Sequence, residues 1–203
     1  MDVKGRIIRE AMPLFFKNGI RSITMSDIAN ELGISKRTLY EVFENKEELL
    51  EACFNERLRQ TDEAIDSLAQ SSENVIEALM RIYAQHLRSS QGMSRTIIHD
   101  LKKYYRPIYQ KIELRKQDGF QFFIPLMTKG IEQGLIREDI NFEMIIWLVK
   151  AQFKSLIDDE YIPTDKYSTN EFIRAIILNF IRGIVTPLGN AQVEQMMEKI
   201  KQE

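Results

Sequence analysis

Residues 22–50 read SITMSDIANELGISKRTLYEVFENKEELL, and this stretch decides the fold. It contains three helix starts and one tight turn. Thr24-x-x-Asp27 has the form of a capping box with Asp in the Glu place. Ile28, Ala29 and Leu32 share one face of the short helix that follows. Gly33 ends that helix, because a sharp turn needs a residue tolerant of positive φ. Ile34 plugs the turn. Ser35 caps a second short helix, SKRTLYEVF, whose inner face is Leu39, Val42 and Phe43. Asn45-x-x-Glu48 caps a further helix that carries Leu49, Leu50, Cys53, Phe54, Leu58 and Ile65 toward Leu68.

Upstream, Ile7, Ile8, Ala11, Leu14 and Phe15 recur at the spacing of an amphipathic helix from Val3 to Asn18, with Gly19 as its C-terminal cap. Pro13 lies inside it. There it removes a hydrogen bond and crowds the carbonyl of Arg9, at a cost of about 3 kcal/mol. The expectation is a kink, or a helix that restarts near Met12.

Downstream, the chain reads as helical nearly throughout, so the fold class is all-α. A helix from about Glu73 to Arg88 is followed by a short one near Ser94–Lys103. Pro107 then opens a long helix to Gln133, with Pro125 predicting a kink or a broken turn inside it. FEMIIWLVKAQFKSLI (142–157) and EFIRAIILNFIRGIVT (171–186) are apolar around most of their circumference. Such helices need burial on two sides. In a chain of 203 residues the second side is expected to be another copy, with Trp147, Phe153, Ile177, Phe180 and Gly183 at the interface. The tail from Asn190 is read as a weak final helix or a frayed end. The division expected is residues 1–45 as one small domain and 46–203 as a larger helical one.

Composition bounds the class. Hydrophobic residues at 44% with 29% charged residues fit a globular chain. No apolar run approaches the roughly 18 residues that span a bilayer. The N-terminus lacks the apolar core of a signal peptide, and one cysteine excludes an internal disulfide framework, so a cytoplasmic location is expected. The net charge is −2, yet from Val3 to Tyr40 seven bases (Lys4, Arg6, Arg9, Lys17, Arg21, Lys36, Arg37) face three acids (Glu10, Asp27, Glu31). No HExxH, CxxC or Gly-rich phosphate loop is present, and no nucleophile with a base can be named. The sequence therefore points to no enzyme, no cofactor and no metal.

Residues 22–50 meet the demands of a helix-turn-helix, in which two short helices are held at a fixed angle so that the second lies in the DNA major groove. Ala29 is small where the helices cross. Gly33 makes the turn four positions later. Ile28, Leu32, Ile34, Leu39 and Val42 lock the pair to the first helix. The run TMSDIANELGISKRTLYEVFENKEELL resembles the DNA-binding signature of the TetR/AcrR family of transcriptional regulators. The resemblance covers roughly Arg6 to Leu50. The body resembles the family only in length, helix order and its two apolar helices, together with GIEQGLIREDIN (130–141), which is similar to the family's join into its first dimerisation helix.

The resemblance implies a homodimer on double-stranded operator DNA, with a body that binds a small effector. It gives Thr24 a phosphate contact and makes Ser35–Tyr40 the recognition helix. Lys36 and Arg37 are the side chains expected to touch bases or phosphates, since arginine can pair with guanine through two hydrogen bonds. Thr38, Tyr40 and Lys46 resemble phosphate-contacting positions. Arg37 departs from the family, which often has a small residue there. Candidate effector contacts are Tyr83, His86, Tyr105 and Tyr109, with Phe120, Phe123, Met127, Trp147 and Gln152. As a group they suit a largely apolar ligand, whereas each alone reads as ordinary core. His86 is either a polar contact or a hydrogen-bonded core histidine. The alternative reading is a helical small-molecule-binding protein or enzyme with a vestigial DNA-binding head.

Overall fold

A computed structural model of the protein describes residues 2–90, 95–119, 122–158 and 166–202. Eleven helices follow one another among these residues. They are α1 (Val3–Asn18), α2 (Met25–Glu31), α3 (Lys36–Val42), α4 (Lys46–Ser71), α5 (Val75–Ser90) and α6 (Arg95–Tyr104). Then come α7 (Arg106–Gly119), α8 (Phe123–Glu132), α9 (Phe142–Asp158), α10 (Thr169–Ile184) and α11 (Pro187–Gln202). The chain packs as two compact units. One is residues 1–63 with 92–117, and the other is 64–91 with 118–203.

The first unit closes around Phe15, Ile7, Ile20, Ile28, Leu39, Phe43, Leu49 and Leu50, all at 1% exposure or less. α6 and α7 join this core through Ile97, Leu101, Ile108 and Ile112. α1 is unbroken across Pro13, with no restart at Met12. Pro13 and Arg9 are both exposed, on the face of α1 turned away from the core. Asp2 caps the helix by accepting from the Gly5 N–H at 3.0 Å.

The second unit is built on α5, whose Val75, Ile76 and Met80 are fully buried against α8, α10 and α11. A short cross-link joins the chain after α8 to the end of α10. The Arg137 N–H donates to the Ile184 carbonyl at 2.9 Å, and the Thr186 N–H donates to the Leu135 carbonyl at 3.0 Å. The Thr186 hydroxyl adds a bond to the Gly134 carbonyl at 2.8 Å. Gly134, at φ 66°, allows the chain to leave α8 toward this link.

Three expectations change. The long helix from Pro107 to Gln133 is two helices, α7 and α8, and Pro125 falls in the first turn of α8. A proline is harmless there, because the first N–H groups of a helix have no intrahelical acceptor. Of the two readings of the tail from Asn190 the helix is the one found, and it begins earlier than expected. It is α11, which starts at Pro187 and buries Val193 and Met197 in the second core. The preceding helix stops at Ile184 rather than Thr186, since Val185 is extended to reach the cross-link.

Candidate DNA-binding site

The geometry of the site begins with its caps. The Thr24 hydroxyl accepts from the Asp27 N–H at 3.2 Å, and the Asp27 carboxylate accepts from the Thr24 N–H at 2.9 Å and its hydroxyl at 2.6 Å. The Thr24 hydroxyl, then its N–H, hold the Asp27 carboxyl below the usual carboxylate value. The turn after α2 is closed by Gly33 at φ 64° and by an Ile34 N–H to Ala29 carbonyl bond of 3.0 Å. Ser35 then caps α3, accepting from the Thr38 N–H at 3.0 Å while its hydroxyl lies 2.8 Å from that of Thr38. Each cap is worth about 1 kcal/mol. Together they fix both helix starts.

Packing then fixes the angle between the two helices. Ala29 is 1% exposed at the crossing, and Leu39 is the one fully buried residue of α3. Arg6 of α1 donates to the Leu32 carbonyl at 3.0 Å, which satisfies a C-terminal carbonyl of α2. Lys4 lies 5.4 Å from the Phe43 ring centroid. α1 thus holds both short helices by polar contacts as well as by its apolar face. Sequence reading missed these two contacts, because Arg6 and Lys4 look like ordinary solvated residues.

With Leu39 inward, the other face of α3 is open. Ser35, Lys36, Arg37 and Tyr40 are exposed and Thr38 is half-buried. The Arg37 side chain is 88% exposed and pairs with Glu41 at 2.8 Å. Lys36 lies 5.8 Å from the Tyr40 ring centroid. Lys46, at the start of α4, is half-buried and donates to the Arg21 carbonyl at 3.4 Å. Burial lowers its pKa, and the charges of Asp100 and Asp27 act in the opposite direction. Its ammonium is already engaged with the protein, which its sequence position could not show.

The candidate effector contacts fall in several places. Tyr83 is 2% exposed in the second core, and Phe123 packs against the same core edge-on to Phe122. Met127 is buried there too. Tyr105 and Tyr109 pack on the core of the first unit. His86 is exposed and lies edge-on to the Phe153 ring at 6.0 Å. Trp147 and Gln152 are exposed. Phe120 lies outside the described residues. On α9, Met144, Trp147 and Leu148 are 59%, 62% and 52% exposed, an apolar stripe at i, i+3 and i+4. On α10, Ile177 and Phe180 are half-buried and Gly183 is open, with nothing within 4 Å of an added Cβ.

Among the described residues no group of three or more His, Cys, Asp or Glu side chains is placed to hold a metal ion. No helix there is long and apolar enough to cross a membrane.

A capped helix-turn-helix with an open, basic second helix defines a DNA-binding regulator of transcription. Comparison with known proteins gives the family. Residues 7–53 match the family described as Bacterial regulatory proteins, tetR family. The HTH-type transcriptional regulator YhgD of Bacillus subtilis is 34% identical over 174 residues, 82% of this chain and 90% of that protein. The biofilm operon negative transcriptional regulator IcaR of Staphylococcus epidermidis is 30% identical over 181 residues, 76% of this chain and 95% of that protein. The chain belongs to the tetR family of bacterial transcriptional regulators. Its fold is also that of the regulator FadR from Bacillus subtilis, solved in complex with stearoyl-CoA. The TM-score is 0.63 at 21% identity, covering 89% of this chain and 98% of that one.

Proposed function

We propose that the protein is a homodimeric repressor released from its operator by a small, largely apolar effector. The observation that carries the reading is α3 itself. Leu39 is fully buried while Lys36, Arg37 and Tyr40 stand outward, so a rigid helix presents cations and donors on one open face. In this reading Arg37 and Lys36 meet base edges or phosphates, and Thr24, Ser35, Thr38, Tyr40 and Lys46 position the backbone. Residues 1–45 read the DNA. Residues 46–203 pair the protomers and sense the effector, with no catalytic role.

The open apolar stripe of Met144, Trp147 and Leu148 supports pairing, since exposed patches of this kind mark interfaces. A partner covering α9 and α10 would bury Trp147, Phe153, Ile177, Phe180 and Gly183. Two heads would then lie about one helical turn (~34 Å) apart on a pseudo-palindrome, or a multiple of it. Similarity to IcaR, a negative regulator, favours repression. Fold likeness to a regulator that takes stearoyl-CoA, with the buried Tyr83 and the half-buried Phe123, favours an effector with an apolar part. Such a ligand shifts DNA occupancy only by its difference in affinity for the bound and released states.

The test is selection of duplexes from a randomised pool by the purified protein, followed by titration with long-chain acyl-CoA. The reading expects an enriched two-fold-symmetric site and its release by the acyl-CoA. No enrichment at any salt concentration overturns the DNA claim. Enrichment without release by any acyl-CoA, or by the corresponding free fatty acids as smaller apolar probes, overturns the acyl-chain form of the effector reading.

A further inference from the structure

The sequence run KKYYR (102–106), where α6 meets α7, has no part in the helix-turn-helix, yet it packs in the same compact unit. Arg21, in the turn between α1 and α2, lays its guanidinium 4.7 Å from the Tyr104 ring centroid and donates to the Tyr104 hydroxyl at 3.1 Å. Lys103 lies 5.3 Å from the same ring. The Arg21 carbonyl in turn accepts from Lys46. The result is a continuous strip of Lys46, Arg21, Tyr104 and Lys103, joined through one aromatic ring. Arg21, Lys103 and Tyr104 are exposed, with Tyr104 at 41%. Of the two acids whose charges act on Lys46, Asp27 is exposed and held by Thr24, and Asp100 is turned inward, where it is 7% exposed and accepts from the Arg21 N–H.

We infer that this strip is a second DNA-contacting surface, through which α6 grips the phosphate backbone outside the groove read by α3. Three things support that occupant. The exposed groups are cations and a phenol, the side chains that bind phosphate oxygens. They adjoin Lys46, a position of the proposed DNA-contacting face. The cation–ring contacts hold Arg21 and Lys103 in place before DNA arrives, so little side-chain freedom is lost on binding. Lys103 and Tyr104 therefore add affinity without sequence preference. The inference rests on the DNA-binding reading above.

The test uses the full-length protein, a duplex enriched from a randomised pool by the wild type, and a scrambled duplex of equal length. Lys103→Glu is expected to weaken binding to both duplexes by the same factor, roughly threefold to tenfold. The slope of log affinity against log salt should flatten by about 0.9 for each phosphate the variant no longer neutralises. Tyr104→Leu should weaken both duplexes equally, and Lys103→Arg should keep wild-type affinity. Circular dichroism and thermal midpoint check that each variant is folded, with Lys103→Gln as the substitute if Lys103→Glu is not. Wild-type affinity and salt slope in a folded Lys103→Glu or Lys103→Gln variant overturn the inference while leaving the DNA reading intact. A wild type that enriches no duplex overturns both.

Discussion

The backbone N–H of Arg21 donates to the carboxylate of Asp100 at 3.2 Å, across 79 positions of sequence. This bond ties α6 to the turn that launches the helix-turn-helix. It also places a buried carboxylate where it favours the charged form of the half-buried Lys46. Asp100→Ala leaves the Arg21 N–H without its acceptor and Lys46 without one of its two carboxylates. Arg21 is exposed, so water can reach the freed N–H, and the expected loss is about 0.5–1.5 kcal/mol, the net worth of a hydrogen bond. Asp100→Asn keeps an acceptor and should lose less. Urea unfolding of the three proteins measures the difference. Equal midpoints would mean that the bond contributes nothing to the head.

The Thr24–Asp27 box predicts acid sensitivity with a definite sign. Thr24 lowers the Asp27 pKa in the folded protein from its ordinary 3.8. A carboxylate of this kind stabilises the fold above its unfolded pKa, and the contribution is lost as pH falls through the folded value. The thermal midpoint should therefore fall below about pH 4, and Asp27→Asn should flatten part of that decline. Glu171, capped by Ser168 on α10, contributes the same way. The diagnostic quantity is the difference between wild type and variant across roughly pH 2 to 6.

Arg37 stands 88% exposed with Glu41 as its partner. An exposed pair of this spacing contributes about 0.3–0.5 kcal/mol, so Arg37→Ala should leave stability nearly unchanged. Its effect belongs to DNA. If Arg37 reads a base, the variant loses about 1–3 kcal/mol of discrimination at one position of the selected site. A uniform loss across all sequences, with a smaller salt slope, would assign it to phosphate instead.

Two glycines separate folding from pairing. At Gly189 an added Cβ would overlap the Leu135 carbonyl oxygen and press Val185 at 3.1 Å. Gly189→Ala should cost about 1–3 kcal/mol, because the atom it meets is backbone and cannot rotate away. At Gly183 nothing lies within 4 Å, so Gly183→Leu should leave the protomer folded. It should raise the dimer dissociation constant if a partner helix packs there. Sedimentation of both variants checks this, and unchanged association of Gly183→Leu would remove that residue from the interface.

The short-range features were legible in the sequence because they depend on residues within four positions of one another. Thr24 with Asp27, Ser35 with Thr38, and Gly33 at positive φ are chemistry that neighbouring residues complete among themselves. Apolar spacing likewise gave the inward faces of α1 to α3, and residue type gave Lys36 and Arg37 on the outward face. Arg6 reaching the Leu32 carbonyl and Lys4 covering Phe43 were not legible, since a long cationic side chain shows no sequence preference for a distant partner.

Sequence alone determined an all-helical chain, its capped helix-turn-helix and the kind of partner that motif serves, because propensity, caps and periodicity are local. Tertiary structure decided what the head is packed with. Ile97, Leu101, Ile108 and Ile112 bring α6 and α7 into its core, and Arg21, Asp100 and Tyr104 lock that packing with directional contacts. It also turned the tail into α11, because Val193 and Met197 find a core that no local pattern could supply. Those contacts join residues far apart in sequence, where burial and geometry, rather than spacing, choose the partner.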